Sequence, residues 1–122
     1  MISLNQLRDK IHETAVKKGW WEEDRTFPEI LALCHSELSE ALEDYRDGKP
    51  VNQVEGIFIE RQGKEPEFAK HEKPEGVPIE LADCIIRILD YCGKEGIDIE
   101  AAVKMKMEFN ETRPHRHGGK KI

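Results

Sequence analysis

Apolar residues recur every three to four positions in four stretches of the chain, and one long stretch between the second and third carries no such stripe. Ser3 with Gln6 three residues later has the form of a capping box, and Leu4, Leu7, Ile11 and Ala15 then line one helical face until Gly19. A second start lies at Thr26-Phe27-Pro28-Glu29, where a Thr cap, a Pro in the first turn and a Glu at the box position coincide. This helix runs to about Asp47 and stops at Gly48. A third begins near Pro78, carries Ile79, Ala82, Ile85, Ile86 and Leu89, and ends at Gly93 or Gly96. Asp98 caps the fourth, IEAAVKMKMEFNE, which Pro114 closes. The pattern predicts an all-α chain, a four-helix core forming one domain over residues 1–122.

The stretch without a stripe is an irregular insertion at about 49–77, KPVNQVEGIFIERQGKEPEFAKHEKPEGV, rich in Pro and Gly and holding only VEGIFIE as a possible short strand. So long a loop acts as a lid, an oligomer contact or a disordered segment, and the sequence does not choose among these. Helix three is apolar over about half its circumference, because Leu81, Ile85, Ile88 and Cys92 widen its stripe. That predicts a central helix or one at a subunit interface. On helix two, Cys34, Leu38, Ala41 and Tyr45 form the predicted buried stripe, with Glu37 on its shoulder and Glu40 and Asp44 further round.

The composition narrows the function classes. The 122 residues, 38% of them apolar, suffice for one core and not two. A net charge of −6 and a pI near 5.4 argue against a general polyanion binder. The charge is uneven: residues 104–122 hold six Lys or Arg against two acids, and residues 1–103 hold thirteen against twenty-three. No apolar run has the length of a membrane span, and the start MISLNQLRDK lacks the apolar centre of a signal peptide, so a cytoplasmic protein is expected. Cys34, Cys84 and Cys92 fit no metal spacing and sit among apolar neighbours, as reduced core thiols do.

Two acidic pairs carry the candidate chemistry, Glu37-x-x-Glu40 on helix two and Glu80-x-x-Asp83 on helix three. The i, i+3 spacing puts each pair on one helix face, so two packed helices can gather four carboxylates. Such an oxygen-only set suits Mg²⁺ or Mn²⁺ better than zinc. A chain with 25 acids in 122 residues also supplies such pairs by chance on solvated faces. A carboxylate-bridged di-iron centre needs Glu-x-x-His, and no His here follows a Glu at that spacing. Lys104, Lys106, Asn110 and Arg113 on the last helix, with Arg116, Lys120 and Lys121 in a basic tail at 113–122, can grip phosphate oxygens or form a charged, frayed terminus. Trp20 and Trp21 can stack on a nucleobase or pack in the core.

Taken together, FPEILALCHSELSEALEDYRDG, PEGVPIELADCIIRILDYCGKEGID and KMEFNETRPHRHGGKKI resemble the MazG-like, all-α nucleoside triphosphate pyrophosphohydrolase superfamily. The likeness spans nearly all of the chain outside 49–73. It implies a MazG-like bundle assembled as a homodimer or homotetramer, with Glu37, Glu40, Glu80 and Asp83 holding Mg²⁺ (Mn²⁺ as a substitute) and a member of the Glu37/Glu40 pair handling the attacking water. It further implies that Lys104, Asn110 and Arg113, with Lys120 of the tail, meet the phosphates or sugar of an NTP or dNTP cut between its α and β phosphates. The chain holds one such unit, unlike the tandem units of full-length MazG, and its insertion is longer than the links of the smallest relatives. Two other readings remain: a non-catalytic helical module that binds a nucleotide or a protein, and a phosphoribosyl-ATP pyrophosphohydrolase.

Overall fold

Three helices begin on the caps expected of them. In the computed structural model, which describes residues 1–55 and 73–114 and the backbone of 58–59 and 67–68, α1 (Leu4–Lys17) starts on Ser3. The Ser3 hydroxyl accepts from Gln6 N at 3.1 Å, and Ser3 N donates to Gln6 Oε1 at 2.7 Å. Thr26 accepts from Glu29 N at 3.3 Å to open α2 (Phe27–Arg46). Asp98 accepts from Ala101 N at 3.0 Å to open α4 (Ile99–Thr112). Each such bond satisfies an amide left orphaned at a helix start, at a typical value of about 1 kcal/mol. The third helix, α3, spans Val77–Glu95. The all-α expectation holds, with one addition inside the insertion: β1 (Phe58–Ile59) pairs antiparallel with β2 (Glu67–Phe68), Phe58 opposite Phe68 and Ile59 opposite Glu67. No helix among the described residues is long and apolar enough to cross a membrane.

The chain divides into two compact units, Met1–Glu22 with Leu89–Ile122, and Glu23–Ile88. In the first, α1 packs on α4. Leu4 N donates to Glu100 Oε1 at 2.9 Å, the Asn5 side chain donates to Asp98 Oδ1 at 2.8 Å and accepts from Glu100 N at 3.2 Å, and Arg8 reaches the Ile97 carbonyl at 2.6 Å. Further along α1, His12 Nδ1 donates to the buried Asp90 at 2.8 Å, and the Trp21 indole donates to the same oxygen at 2.9 Å. Gly93 permits this approach. A Cβ there would lie 2.6 Å from His12 Cβ. The helix runs through Gly93 and ends before Gly96, which decides between the two stops open in the sequence. Gly93→Ala is expected to destabilise the protein by about 1–3 kcal/mol through overpacking, read as a lower urea midpoint at unchanged slope.

In the second unit, α2 packs against residues 77–88 of α3. Ile30, Cys34, Glu37 and Ala41 are the buried residues of α2, with Cys34 beside the buried Cys84 of α3. This corrects the predicted stripe. Leu38 and Tyr45, expected inside, are 49% and 61% exposed, and Glu37, expected on the shoulder, is inside. The reason lies across the seam, where Arg87 Nε donates to Glu37 Oε1 at 2.8 Å; a carboxylate with a charge-assisted partner can occupy a buried position that it could not occupy alone. With α2 turned to bury Glu37, Leu31, Leu38, Leu42 and Tyr45 form an exposed line about 100° round the helix. On α3 the outcome is parallel. Leu81, Ile85, Ile86 and Ile88 are exposed and Glu80, Asp83 and Arg87 are half-buried, so that part of the broad apolar stripe is open within the chain, while its Leu89 and Cys92 are buried. The helix pair thus has an acidic flank and an apolar flank on either side of its seam.

The insertion is closed at its base. Glu55 and Glu75 form an antiparallel bridge, with N to O distances of 2.8 and 3.1 Å. Next to it Gly76 adopts φ +119°, and a Cβ there would stand 2.7 Å from the Gln53 carbonyl oxygen, so both backbone conformation and space require glycine. The possible strand VEGIFIE coincides with β1.

Candidate metal centre

Four of the predicted site residues lie in the second unit, carried by its two helices. Glu37 and Glu40, one turn apart on α2, and Glu80, in the first turn of α3, each bring a carboxylate oxygen within 4.8 Å of the others. Oxygens around a single Mg²⁺ at about 2.0–2.1 Å stand about 3 Å apart when adjacent and about 4 Å when opposite, so the three would draw together to share one ion. Glu37 is buried, Glu80 half-buried and Glu40 exposed, which leaves the cluster open on one side. Asp83, one turn after Glu80, lies beside this group and not within it: the charges of Glu37 and Glu40 act on it, countered by Arg87 and Lys73. The structure therefore gathers three of the four predicted ligands and keeps the fourth adjacent.

The cluster has more negative charge than its own cations remove. Burial first, then a hydrogen bond with Glu40 and the charges of Glu40, Asp83 and Asp44, push the Glu80 carboxyl up to about 7. Burial and the charge of Glu37 likewise raise Asp83, against the opposing pull of Arg87. Glu80 Oε2 is buried and has no hydrogen-bond partner among the described residues. A buried carboxylate oxygen with no partner costs free energy, and a hard divalent cation is a natural group to satisfy it. The donor set and the orphaned oxygen both fit Mg²⁺ or Mn²⁺.

A pH dependence follows with a definite sign. The folded Glu80 value lies above its ordinary value of 4.5, so its contribution to stability is fully present below about pH 4.5 and is lost as pH rises through about 7. The loss is on the order of 3 kcal/mol for a shift of this size. Thermal unfolding without divalent cations should therefore show a midpoint that falls between pH 5 and 8. Glu80→Gln should flatten that fall, and millimolar Mn²⁺ should reverse it at pH 8; an equal slope in the Gln variant would remove Glu80 as the cause.

Several neighbours escaped the sequence reading. Arg87, on the polar side of α3, is the partner of Glu37. A cleft of about 240 Å³ adjoins the cluster, lined by Glu40, Glu43, Asp44, Lys49, Lys73, Glu75 and Glu80. Lys49 Nζ lies 3.3 Å from Asp44 Oδ1 and 3.5 Å from Glu55 Oε2. The two lysines stand at the two ends of the insertion, where no helical period could have signalled them. Cys34, Cys84 and Cys92 are buried thiols, as expected, and burial with the neighbouring Cys84 raises Cys34.

The remaining predicted residues belong to the first unit. On α4, Lys104 is exposed and lies 3.9 Å from Glu100, Asn110 is exposed, and Arg113 sits 5.6 Å over the Phe109 ring, on which Lys106 also rests at 4.8 Å. Lys120, with the rest of the tail from residue 115, lies outside the described residues. Trp21 is tied into its own unit by the Asp90 bond, an edge contact with His12 and Lys94 at 5.1 Å above its ring; Trp20 is half-buried. Comparison with protein-family models, with curated proteins and with solved structures finds no match to this chain.

Proposed function

We propose that the protein is a Mg²⁺-dependent nucleotide pyrophosphohydrolase of the MazG-like kind, cleaving the α–β phosphoanhydride of an NTP or dNTP to a nucleoside monophosphate and pyrophosphate, a reaction that suits nucleotide-pool house-cleaning. The observation that carries it is the meeting of Glu37, Glu40 and Glu80 from two helices, together with a buried Glu80 oxygen that has no partner among the described residues. Glu37, Glu40, Glu80 and Asp83 would hold the ion. When bound, a divalent cation neutralises phosphate charge and acidifies a water.

The chain's own groups then divide the work. Arg87 fixes Glu37 by its 2.8 Å bond, so Glu37 is a rigid wall of the site. Glu40 is exposed and able to orient a water and take its proton. Lys104, Asn110, Arg113 and Lys120 take phosphate or sugar contacts in this reading, on the strength of the sequence resemblance alone. The test is a panel of NTPs and dNTPs, modified bases included, assayed with Mg²⁺ or Mn²⁺ for pyrophosphate and not orthophosphate. A panel with no product, alongside nucleotide-dependent thermal stabilisation, would favour a binding module instead. Cleavage of phosphoribosyl-ATP alone would move the protein to histidine synthesis.

The same proposal includes a homo-oligomer. Leu38, Leu42, Leu81 and Ile85 are 43–56% exposed on the apolar flank, and side chains of this size gain about 1.5–3 kcal/mol each when fully buried. Leu38→Asp with Ile85→Asp should lower the mass found by sedimentation to that of one chain; an unchanged mass would discard this flank as the interface.

A further inference from the structure

We propose that Lys49 and Lys73 bind the polyphosphate chain of the ligand, so that the two ends of the insertion supply an anion clamp in the cleft beside the carboxylates. This rests on the metal-site reading above. Both lysines line the roughly 240 Å³ cleft that Glu40 and Glu80 also line, a space for about eight waters, enough for a short chain of phosphates.

Their placement is built and not incidental. Lys49 follows the end of α2 and Lys73 precedes the start of α3, far apart along the chain, and the Glu55–Glu75 bridge with the close-packed Gly76 draws the two segments together. Lys73 shares the wall of that cleft with Glu80, in the first turn of α3. Lys49 is held by Asp44 and Glu55 at 3.3 and 3.5 Å, longer than the 2.7–2.9 Å of a strong charge-assisted bond. Such loose contacts are readily exchanged. Once a divalent ion neutralises the carboxylates, the two ammonium groups have less anionic charge of their own to serve and face a cleft with phosphate oxygens in it. Lysine suits this task as a point charge that does not require a planar, two-pronged partner. The alternative is that both lysines only neutralise nearby acids.

Inorganic tripolyphosphate and Mn²⁺ separate the two roles by binding alone. Calorimetry with Lys49→Met, Lys73→Met and the double variant, each checked for helical circular dichroism, should show tripolyphosphate binding to the Mn²⁺-loaded double variant weakened at least tenfold, with Mn²⁺ affinity equal or higher. Lys73→Arg should retain most of the tripolyphosphate affinity. Unchanged tripolyphosphate affinity in the Met variants, with tighter Mn²⁺ binding, would overturn the clamp and leave the metal site standing. If the wild type takes up no Mn²⁺, the metal reading fails by itself; the clamp then survives only if metal-free tripolyphosphate binding is present and is lost in the double variant, and it falls if the wild type binds none. Should the double variant not fold, the single variants give the same comparison, and two folded singles without loss would overturn the clamp.

Discussion

Glu40→Gln and Asp83→Asn are each expected to lower pyrophosphate release by about a hundredfold or more while leaving the helical circular dichroism intact. The two substitutions act differently. Glu40 is exposed, so its amide costs little stability, and the loss reports a ligand and proton acceptor removed from the cluster. Asp83 is half-buried beside Glu37 and Glu40, in an environment that raises its own carboxyl, so the amide relieves repulsion and should raise the thermal midpoint of the metal-free protein even as activity falls. Opposite movements of stability and turnover are the signature of a site whose charge is strained until a cation arrives. Retained turnover in either variant would take that residue out of the chemistry.

Arg87→Met should change stability more than a replacement at Gly93, Glu40, Glu80 or Asp83. It strips the 2.8 Å partner from Glu37, a side chain 9% exposed, and leaves a buried carboxylate next to Glu40 and Asp83. Removing one member of a buried ion pair costs about 3–5 kcal/mol, a large share of the 5–15 kcal/mol that holds a typical domain together. The double variant Glu37→Gln with Arg87→Met should recover part of the loss, because Glu37 then carries no unpaired charge while Asp83 still lacks the guanidinium that counters it. Saturating Mg²⁺ should also recover part of it in Arg87→Met alone, since a cation held by Glu37 replaces the guanidinium's charge. Chemical denaturation of the four proteins, with and without Mg²⁺, measures all of this. A single-variant cost below about 1 kcal/mol would show the pair to be solvent-screened.

The elements were legible because capping and periodicity are local. Ser3 with Gln6, Thr26 and Asp98 each announce a helix within four residues, and the observed starts follow them. The facing of α2 was not legible. Positions 34 and 41 belong to either of two adjacent lines, and hydrophobicity favours the one through Leu38 and Tyr45. What selects the line through Ile30 and Glu37 is Arg87, fifty residues away, and a single-chain pattern has no way to weigh a partner that distant. The candidate site shows the same division. The Glu37/Glu40 and Glu80/Asp83 spacings are readable, yet their convergence depends on α3 turning its polar side to α2, which the spacing permits and does not require. Lys49 and Lys73 were invisible because a backbone bridge, and no helical repeat, brings them to the cleft.

That bridge also separates two properties that a loop usually combines. With Glu55 and Glu75 paired and Gly76 packed against Gln53, the distance between the end of α2 and the start of α3 is set by the stem, and the residues between no longer have to span it. Doubling a loop with fixed ends costs only about 0.6 kcal/mol of closure entropy. Segments of other length or composition can therefore be exchanged at this point at small thermodynamic cost while the carboxylates of the helix pair stay where they are.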